Sequence, residues 1–236
     1  MQQQIIFMGD IHGEFLGAAY LINEVKNITD SIIIQVGDFG AGFHKKGYYV
    51  DTFKRLNTRL KKNNNKMFAF RGNHDDPVYF NGDWKYSNLE LVPDYTVLEI
   101  GDQKILCIGG AVSVDRSLRN EKTWWKDENI VFDQEKLDEF SGLTCVATHT
   151  CPSFAPPHNK ASIQGFLSMD EKLAEDISTE RIIVTKIFQT LQERNSVKYW
   201  IYGHFHGNHE MPKTVFEMQG VNFKFCDINE LYNLNI

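Results

Sequence analysis

Residues 4–13 read Gln4-Ile5-Ile6-Phe7-Met8-Gly9-Asp10-Ile11-His12-Gly13, an apolar run that stops at a Gly-Asp step and a histidine. A short uninterrupted apolar run closed by glycine reads as a strand buried on both faces rather than one lying half in solvent. A similar pattern recurs four times, with glycine at three of them. Residues 31–36 run into Gly37-Asp38-Phe39-Gly40, and residues 66–71 into Gly72-Asn73-His74-Asp75. Residues 143–148 lead into His149-Thr150, and residues 198–202 into Gly203-His204-Phe205-His206. Asp, Asn or His therefore follows each of five predicted strands, where open α/β sheets place their ligand sites.

Working outward, further strands are predicted at residues 96–100, 104–109, 214–218 and 221–226. Helical spacing is predicted over residues 14–26, with Phe15, Ala18, Ala19, Ile22 and Val25 on one side. It recurs over 48–62, 134–140 and 179–194, and Asp133 and Ser178 or Thr179 have the chemistry of helix starts. The first half thus reads β-α-β-α-β, which predicts parallel strands. Residues 96–110 predict a hairpin turning at Gly101-Asp102, and residues 214–226 another turning at Gln219-Gly220. The fold class expected is α/β, a two-sheet mixed β-sandwich flanked by helices, in a single domain spanning 1–236. The stretch 151–166, with Pro152, Pro156 and Pro157, reads as a long connection, either a binding loop or a surface excursion.

A length of 236 residues, 42% hydrophobic and 24% charged, excludes disorder and fibrous repeats as the main architecture. Twenty-five basic against 31 acidic residues give a net charge of −6, which argues against a non-specific nucleic-acid binder. No window approaches the roughly 18 apolar residues of a membrane span, and no basic, then apolar, leader is visible. Cys107, Cys145, Cys151 and Cys226 form no CxxC, so the expectation is a cytoplasmic chain with buried thiols. A P-loop is absent.

Five of the eight histidines (His12, His74, His149, His204 and His206) lie in the strand-end motifs. Singly, each reads as a hydrogen-bonded loop histidine, and Asp10 and Asp38 as turn formers. Jointly, carboxylates, imidazoles and one amide suit Mn, Fe or Zn better than Ca. The absence of cysteine from the set argues against a structural zinc.

The blocks Asp10-x-His12, Gly37-Asp38, Gly72-Asn73-His74-Asp75, His149 and Gly203-His204-x-His206, in that order, resemble the calcineurin-like metallophosphoesterases. That resemblance implies a four-layer αββα fold and two divalent metal ions. It implies that Asp10, His12, Asp38 and His206 hold one ion, that Asp38, Asn73, His149 and His204 hold the other, and that Asp38 bridges. A carboxylate shared by two cations about 3.5–4 Å apart relieves their repulsion. The implied chemistry is in-line attack on a phosphate ester by a metal-bridging hydroxide, with His74 protonating the leaving oxygen; Asp75, Asp76 or neither orients that histidine. The chain departs from the protein-phosphatase branch, which carries a further Asp and Arg where Phe39-Gly40-Ala41-Gly42 stand here. Arg116 and Arg119 are the candidate substitute phosphate contacts, against the alternative that Asp115 and Arg116 pair structurally. Trp124-Trp125 reads either as a base-stacking wall or as a buried anchor. The function expected is a phosphoesterase, with monoesters slightly favoured. Two alternatives stand: a phosphodiesterase acting on a nucleotide or nucleic-acid end, and an inactive scaffold of the same fold. The oligomeric state stays open.

Overall fold

The computed structural model describes residues 3–120, 122–155, 160–205 and 216–234. Strands β1 (Gln4–Met8), β2 (Ser31–Gln35), β3 (Lys66–Ala69), β4 (Leu89–Leu91) and β11 (Leu231–Asn233) form a five-stranded sheet in the order β11-β1-β2-β3-β4. Strands β5 (Thr96–Ile100), β6 (Gln103–Ile108), β7 (Cys145–Thr148), β8 (Tyr199–Tyr202), β9 (Phe216–Met218) and β10 (Val221–Phe225) form a six-stranded sheet in the order β5-β6-β7-β8-β10-β9. Both are mixed. β1, β2, β3 and β4 are parallel and β11 is antiparallel at the edge. β6, β7, β8 and β10 are parallel between antiparallel β5 and β9.

Alternation within the apolar runs sorts the side chains into three layers, because successive strand residues point to opposite faces. Ile5, Phe7, Ile32, Ile34, Ile105, Cys107, Cys145 and Ala147 fill the space between the sheets. Ile33, Met67 and Ala69 face the other way, onto α1 (Phe15–Tyr20) and α2 (Lys46–Lys62), which supply Phe15, Ala18, Tyr49, Phe53, Leu56 and Leu60. Leu106, Ile108 and Val146 meet Leu137 of α3 (Gln134–Glu139) and Val184, Ile187, Phe188 and Leu191 of α5 (Leu173–Arg194). The result is four layers, helices–sheet–sheet–helices. Each large apolar side chain so buried contributes about 1.5–3 kcal/mol. Ile34→Asp would set a charge between the sheets where no water can solvate it.

The two predicted hairpins form. Ile100 pairs with Gln103 across the first. In the second, Gln219 and Gly220 have φ of 53° and 78°, the two left-handed residues of a type I′ turn; residues 214 and 215 of the predicted strand lie outside the described residues. α1 runs on into a wider π turn, Leu21–Val25, closed by Lys26 N–H donating to Leu21.

Three expectations need correction. α5 begins at Leu173, six residues before the predicted start, and Ser178 and Thr179 lie inside it. Residues within the predicted 151–166 connection form α4 (Lys160–Met169). β4 and β11, three residues each, were not foreseen. Among the described residues no helix is long and apolar enough to cross a membrane.

Candidate metal centre

Parallel pairing within each sheet carries the carboxyl ends of β1, β2, β3, β7 and β8 to one edge of the sandwich. The residues just beyond those ends meet there. His12 Nε2 lies 3.9 Å from Asp10 Oδ2 and 3.8 Å from Asp38 Oδ2. His149 Nε2 lies 3.1 Å from Asp38 Oδ1 and 3.1 Å from Asn73 Oδ1. Two sets of potential ligand atoms result, each within 4.8 Å: His12, Asp38 and His74, and Asp38, His149 and His204. Asp38 belongs to both, one oxygen toward each. His206 lies outside the described residues.

The donor set fits a divalent cation. Asp10 Oδ2 and Asp38 Oδ2 are buried and have no hydrogen-bond partner among the described residues, a costly state for charged oxygens without a cation to face. Carboxylates mixed with imidazoles match the middle transition metals and zinc. His149 Nδ1 sits 2.8 Å from the Val36 carbonyl, which as an acceptor places the proton on Nδ1 and turns Nε2 toward the centre. Asn73 Nδ2 donates to Ser113 Oγ at 3.0 Å, so its Oδ1 is the atom aimed inward. Ser113 is fixed in turn by Glu128, which accepts from its backbone N–H at 2.8 Å and its hydroxyl at 2.7 Å.

The local conformations are strained in a consistent way. His12, Asp38 and His204 have φ of 43°, 53° and 71°, left-handed values that non-glycine residues rarely hold. Such strain persists where surrounding structure over-determines it, which is characteristic of functional sites. Gly37, at φ 95°, is required twice over: a side chain there would also strike the His149 ring.

Two buried carboxylates cannot hold protons equally. Burial, then the Asp38 charge, raises the Asp10 carboxyl well above the usual range, against the pull of His149. Burial opposes ionisation of Asp38 too, but the His149, His74 and His12 imidazoles hold it well below that range. For His149 burial disfavours the cation, yet the Asp38 carboxylate outweighs it and pushes the ring up to about 9. Burial lowers His74, with Arg119 adding to the effect and Asp38 opposing it.

Comparison with known proteins agrees with this geometry. The family model for calcineurin-like phosphoesterases matches residues 4–208. The chain belongs to that family. A stretch of 122 residues is 30% identical to the serine/threonine-protein phosphatase 6 catalytic subunit of Drosophila melanogaster, covering 44% of this chain and 38% of that relative. The chain therefore matches well under half of that protein's length. Among solved structures, TT1561 of Thermus thermophilus superposes with a TM-score of 0.55 at 11% identity, covering 100% of this chain and 99% of the other. A second solved structure gives 0.55 at 13% identity over 95% and 90%. At such identities the likeness concerns the fold alone.

In this calcineurin-like phosphoesterase Asp75 has a different task from the one expected. Its carboxylate accepts four backbone N–H groups, from Phe39 at 2.9 Å, Gly40 at 2.7 Å, Ala41 at 2.9 Å and Gly72 at 2.7 Å. It fastens the turn after β2 to the turn after β3, the two turns that carry Asp38 and Asn73. Burial and the Asp38 charge push it up to about 7 against those amides. Asp76 accepts from Val78 N–H and caps the short helix Pro77–Phe80. The ring of His74 instead meets Arg119, whose guanidinium is held 2.7 Å from Asp115.

Arg116 does not pair with Asp115. Its guanidinium is shared between Asp170 and Asp176, each at 2.6 Å, which ties the loop after β6 to the α4–α5 corner. Of the two candidate phosphate contacts, only Arg119 touches a residue of the centre. Trp124 and Trp125 are half-buried, and Trp125 packs edge-on against Phe43 with ring centroids 5.3 Å apart. The Ser113–Glu128 support was missed. Ser113 follows the Gly109-Gly110 pair at the end of β6, but no local signal marks Glu128.

Proposed function

We propose that this phosphoesterase is a two-metal hydrolase of phosphate esters, favouring monoesters, and that it works in the cytoplasm. The observation that carries the reading is the shared carboxylate: one buried aspartate, Asp38, faces His12 at 3.8 Å through one oxygen and His149 at 3.1 Å through the other. Asp10, His12 and Asp38, with His206, are the proposed ligands of one ion, and Asp38, Asn73, His149 and His204 of the other; Mn, Fe or Zn fits the donors. Bound there, divalent cations supply a water of lowered pKa and charge stabilisation for the phosphoryl oxygens.

The chain's own residues do the rest. Asp75 and the Val36 carbonyl hold the ligands' turns and tautomer, so that little reorganisation is needed. As a water-derived oxygen bonds to phosphorus and the ester P–O bond breaks, His74 gives its ring proton to the leaving oxygen, which yields a neutral alcohol and inorganic phosphate from a monoester. Arg119, its guanidinium held by Asp115, is a positioning residue for His74. The closeness of Asp10, His12 and Asp38, and of Asp38, Asn73 and His149, supports the active reading over the inactive scaffold.

The test is turnover of matched alkyl monoesters and diesters after removal of metal by a chelator and readdition of Mn²⁺. Metal-dependent hydrolysis with a higher kcat/KM for the monoester is expected. No metal-dependent turnover of either would overturn the reading, and a diester preference would replace it with the phosphodiesterase one.

A further inference from the structure

The Gly109-Gly110 pair at the end of β6 lets three segments meet. A side chain on Gly109 would strike the Arg71 carbonyl, and one on Gly110, at φ 93°, the Glu128 carbonyl. Across that gap Gly110 N–H donates to the Arg71 carbonyl and Ala111 N–H to the Glu128 carbonyl, each at 3.1 Å. The Arg71 guanidinium, held 2.7 Å from Asp94, donates to the carbonyls of Asp127, Glu128 and Asn129 at 3.1, 2.7 and 3.0 Å. Arg71 stands two residues before Asn73. A ring of contacts closes: Arg71 fixes the backbone of Glu128, the Glu128 side chain holds Ser113, and Ser113 holds Asn73. All four residues are buried.

That backbone clamp needs no acid at position 128, and burying a carboxylate is costly. What a carboxylate adds is direction. It accepts and does not donate, and a serine hydroxyl has one proton to give. Glu128 takes that proton at 2.7 Å, so toward Asn73 the Ser113 oxygen can only accept. An amide has a donor end and an acceptor end of nearly equal shape. With Ser113 restricted to accepting, Asn73 Nδ2 turns to Ser113 at 3.0 Å, and Oδ1 turns to the centre, 3.1 Å from His149 Nε2. The reversed amide would aim its N–H groups at a cation.

We propose that Glu128 is a positioning residue that fixes the orientation of the Asn73 amide through the Ser113 hydroxyl, and so sets the affinity of one ion, the one assigned to Asn73, His149 and His204, without setting that of the other. The inference rests on the two-ion reading and adds to it a residue that makes the two sites unequal.

Glu128→Gln keeps the shape and reverses the polarity: its amide can donate to Ser113 Oγ, which frees the hydroxyl to donate to Asn73. Metal-free protein is titrated calorimetrically with Mn²⁺, and metal content is measured after dialysis. The wild type is expected to hold two equivalents. Glu128→Gln is expected to keep one at wild-type affinity and to bind the other roughly 10- to 100-fold more weakly, the usual scale for a residue that orients a metal ligand. Ser113→Ala, which leaves the Arg71 clamp in place, should weaken the same ion over the same range, and it serves alone should Glu128→Gln not fold.

Asn73→Asp separates orientation from charge. Beside Glu128 the new carboxylate meets a Ser113 oxygen whose proton is already given. With Glu128→Gln added, it meets one free to donate. The double variant should therefore bind the weakened ion more tightly than Asn73→Asp alone, although it carries one negative charge fewer; attraction by charge alone gives the opposite order. Unchanged affinity in Glu128→Gln and Ser113→Ala, equal weakening of both ions, or that opposite order would overturn the proposal. Fewer than two equivalents in the wild type would remove the two-ion reading by itself. The relay is then read in metal-free protein by nuclear magnetic resonance, as a contact between the Asn73 Nδ2 protons and the Ser113 β-protons. Present in the wild type and lost in Glu128→Gln, it supports the proposal; absent in the wild type or kept in the variant, it rejects it.

Discussion

Asp38 Oδ1 lies 3.1 Å from His149 Nε2, an imidazole and a carboxylate facing each other in the buried floor of the centre. Asp38 is also the group common to both ligand sets. Asp38→Asn keeps the shape and removes the charge, so metal is expected to fall to less than half of the wild-type content, with hydrolysis lost alongside. Elemental analysis of the folded variant checks it. A full wild-type metal content would contradict the shared-carboxylate role.

His74→Ala should retain metal and slow hydrolysis of alkyl esters by roughly 10²–10⁴-fold, the usual scale of general-acid help. Aryl esters with acidic phenols need less protonation and should be partly spared. Arg119→Ala acts through His74, so its loss should follow the same leaving-group order at smaller size. A charge-assisted contact is worth about 1.5–3 kcal/mol, or roughly 10- to 150-fold. Rate losses independent of the leaving group in both variants would assign the pair to charge stabilisation.

How far the centre was legible depends on the range of the signal. The strand-end motifs are local: an apolar run ends, a turn follows, at four of the five with a glycine, and a ligand side chain comes next, so Asp10, His12, Asp38, Asn73, His149 and His204 could be picked out once the five motifs were taken together. The alternation of Ile32, Ile33 and Ile34 between two cores likewise follows from strand geometry. Long-range partners were not legible. Arg119 reaches His74 across 45 positions, and the four amides around Asp75 come from two turns that only the parallel pairing of β2 and β3 brings together. Local signals also misled. Ser178 and Thr179 have helix-cap chemistry, yet Leu173 is buried ahead of them and Val184, Ile187 and Phe188 pack on the second sheet beyond them, which carries α5 through. β4 is too short at Leu89–Leu91 to show a period, and it exists because β3 offers it an edge.

Arg116 separates structure from recognition. Its guanidinium is occupied by Asp170 and Asp176, so Arg116→Ala should lower the melting temperature by loosening the loop after β6 from the α4–α5 corner. The ratio of monoester to diester kcat/KM should stay at the wild-type value. A selective loss on monoesters with unchanged stability would return Arg116 to the phosphate.

Glu180 fastens the same loop from the other side. Its buried carboxylate accepts from Val112 N–H and, at 2.7 Å, from the Thr150 hydroxyl, linking α5 to the residue before Ser113 and the one after His149. Burial is the main influence and pushes its pKa from 4.5 up to about 7. A raised carboxyl pKa means that the fold prefers the protonated form. Its contribution to stability is complete below about pH 4.5 and is lost as pH rises through about 7. At 1.36 kcal/mol per unit the difference is about 3 kcal/mol. Glu180→Gln can still accept from Val112 and donate to Thr150, but it does not titrate. Between pH 5 and pH 8, with metal removed from both proteins, the wild type is expected to lose more unfolding free energy than the variant, by an amount approaching that figure. Denaturant melts at the two pH values measure it. Parallel losses in both proteins would show that Glu180 stays ionised in the fold throughout, with its hydrogen bonds prevailing over its burial.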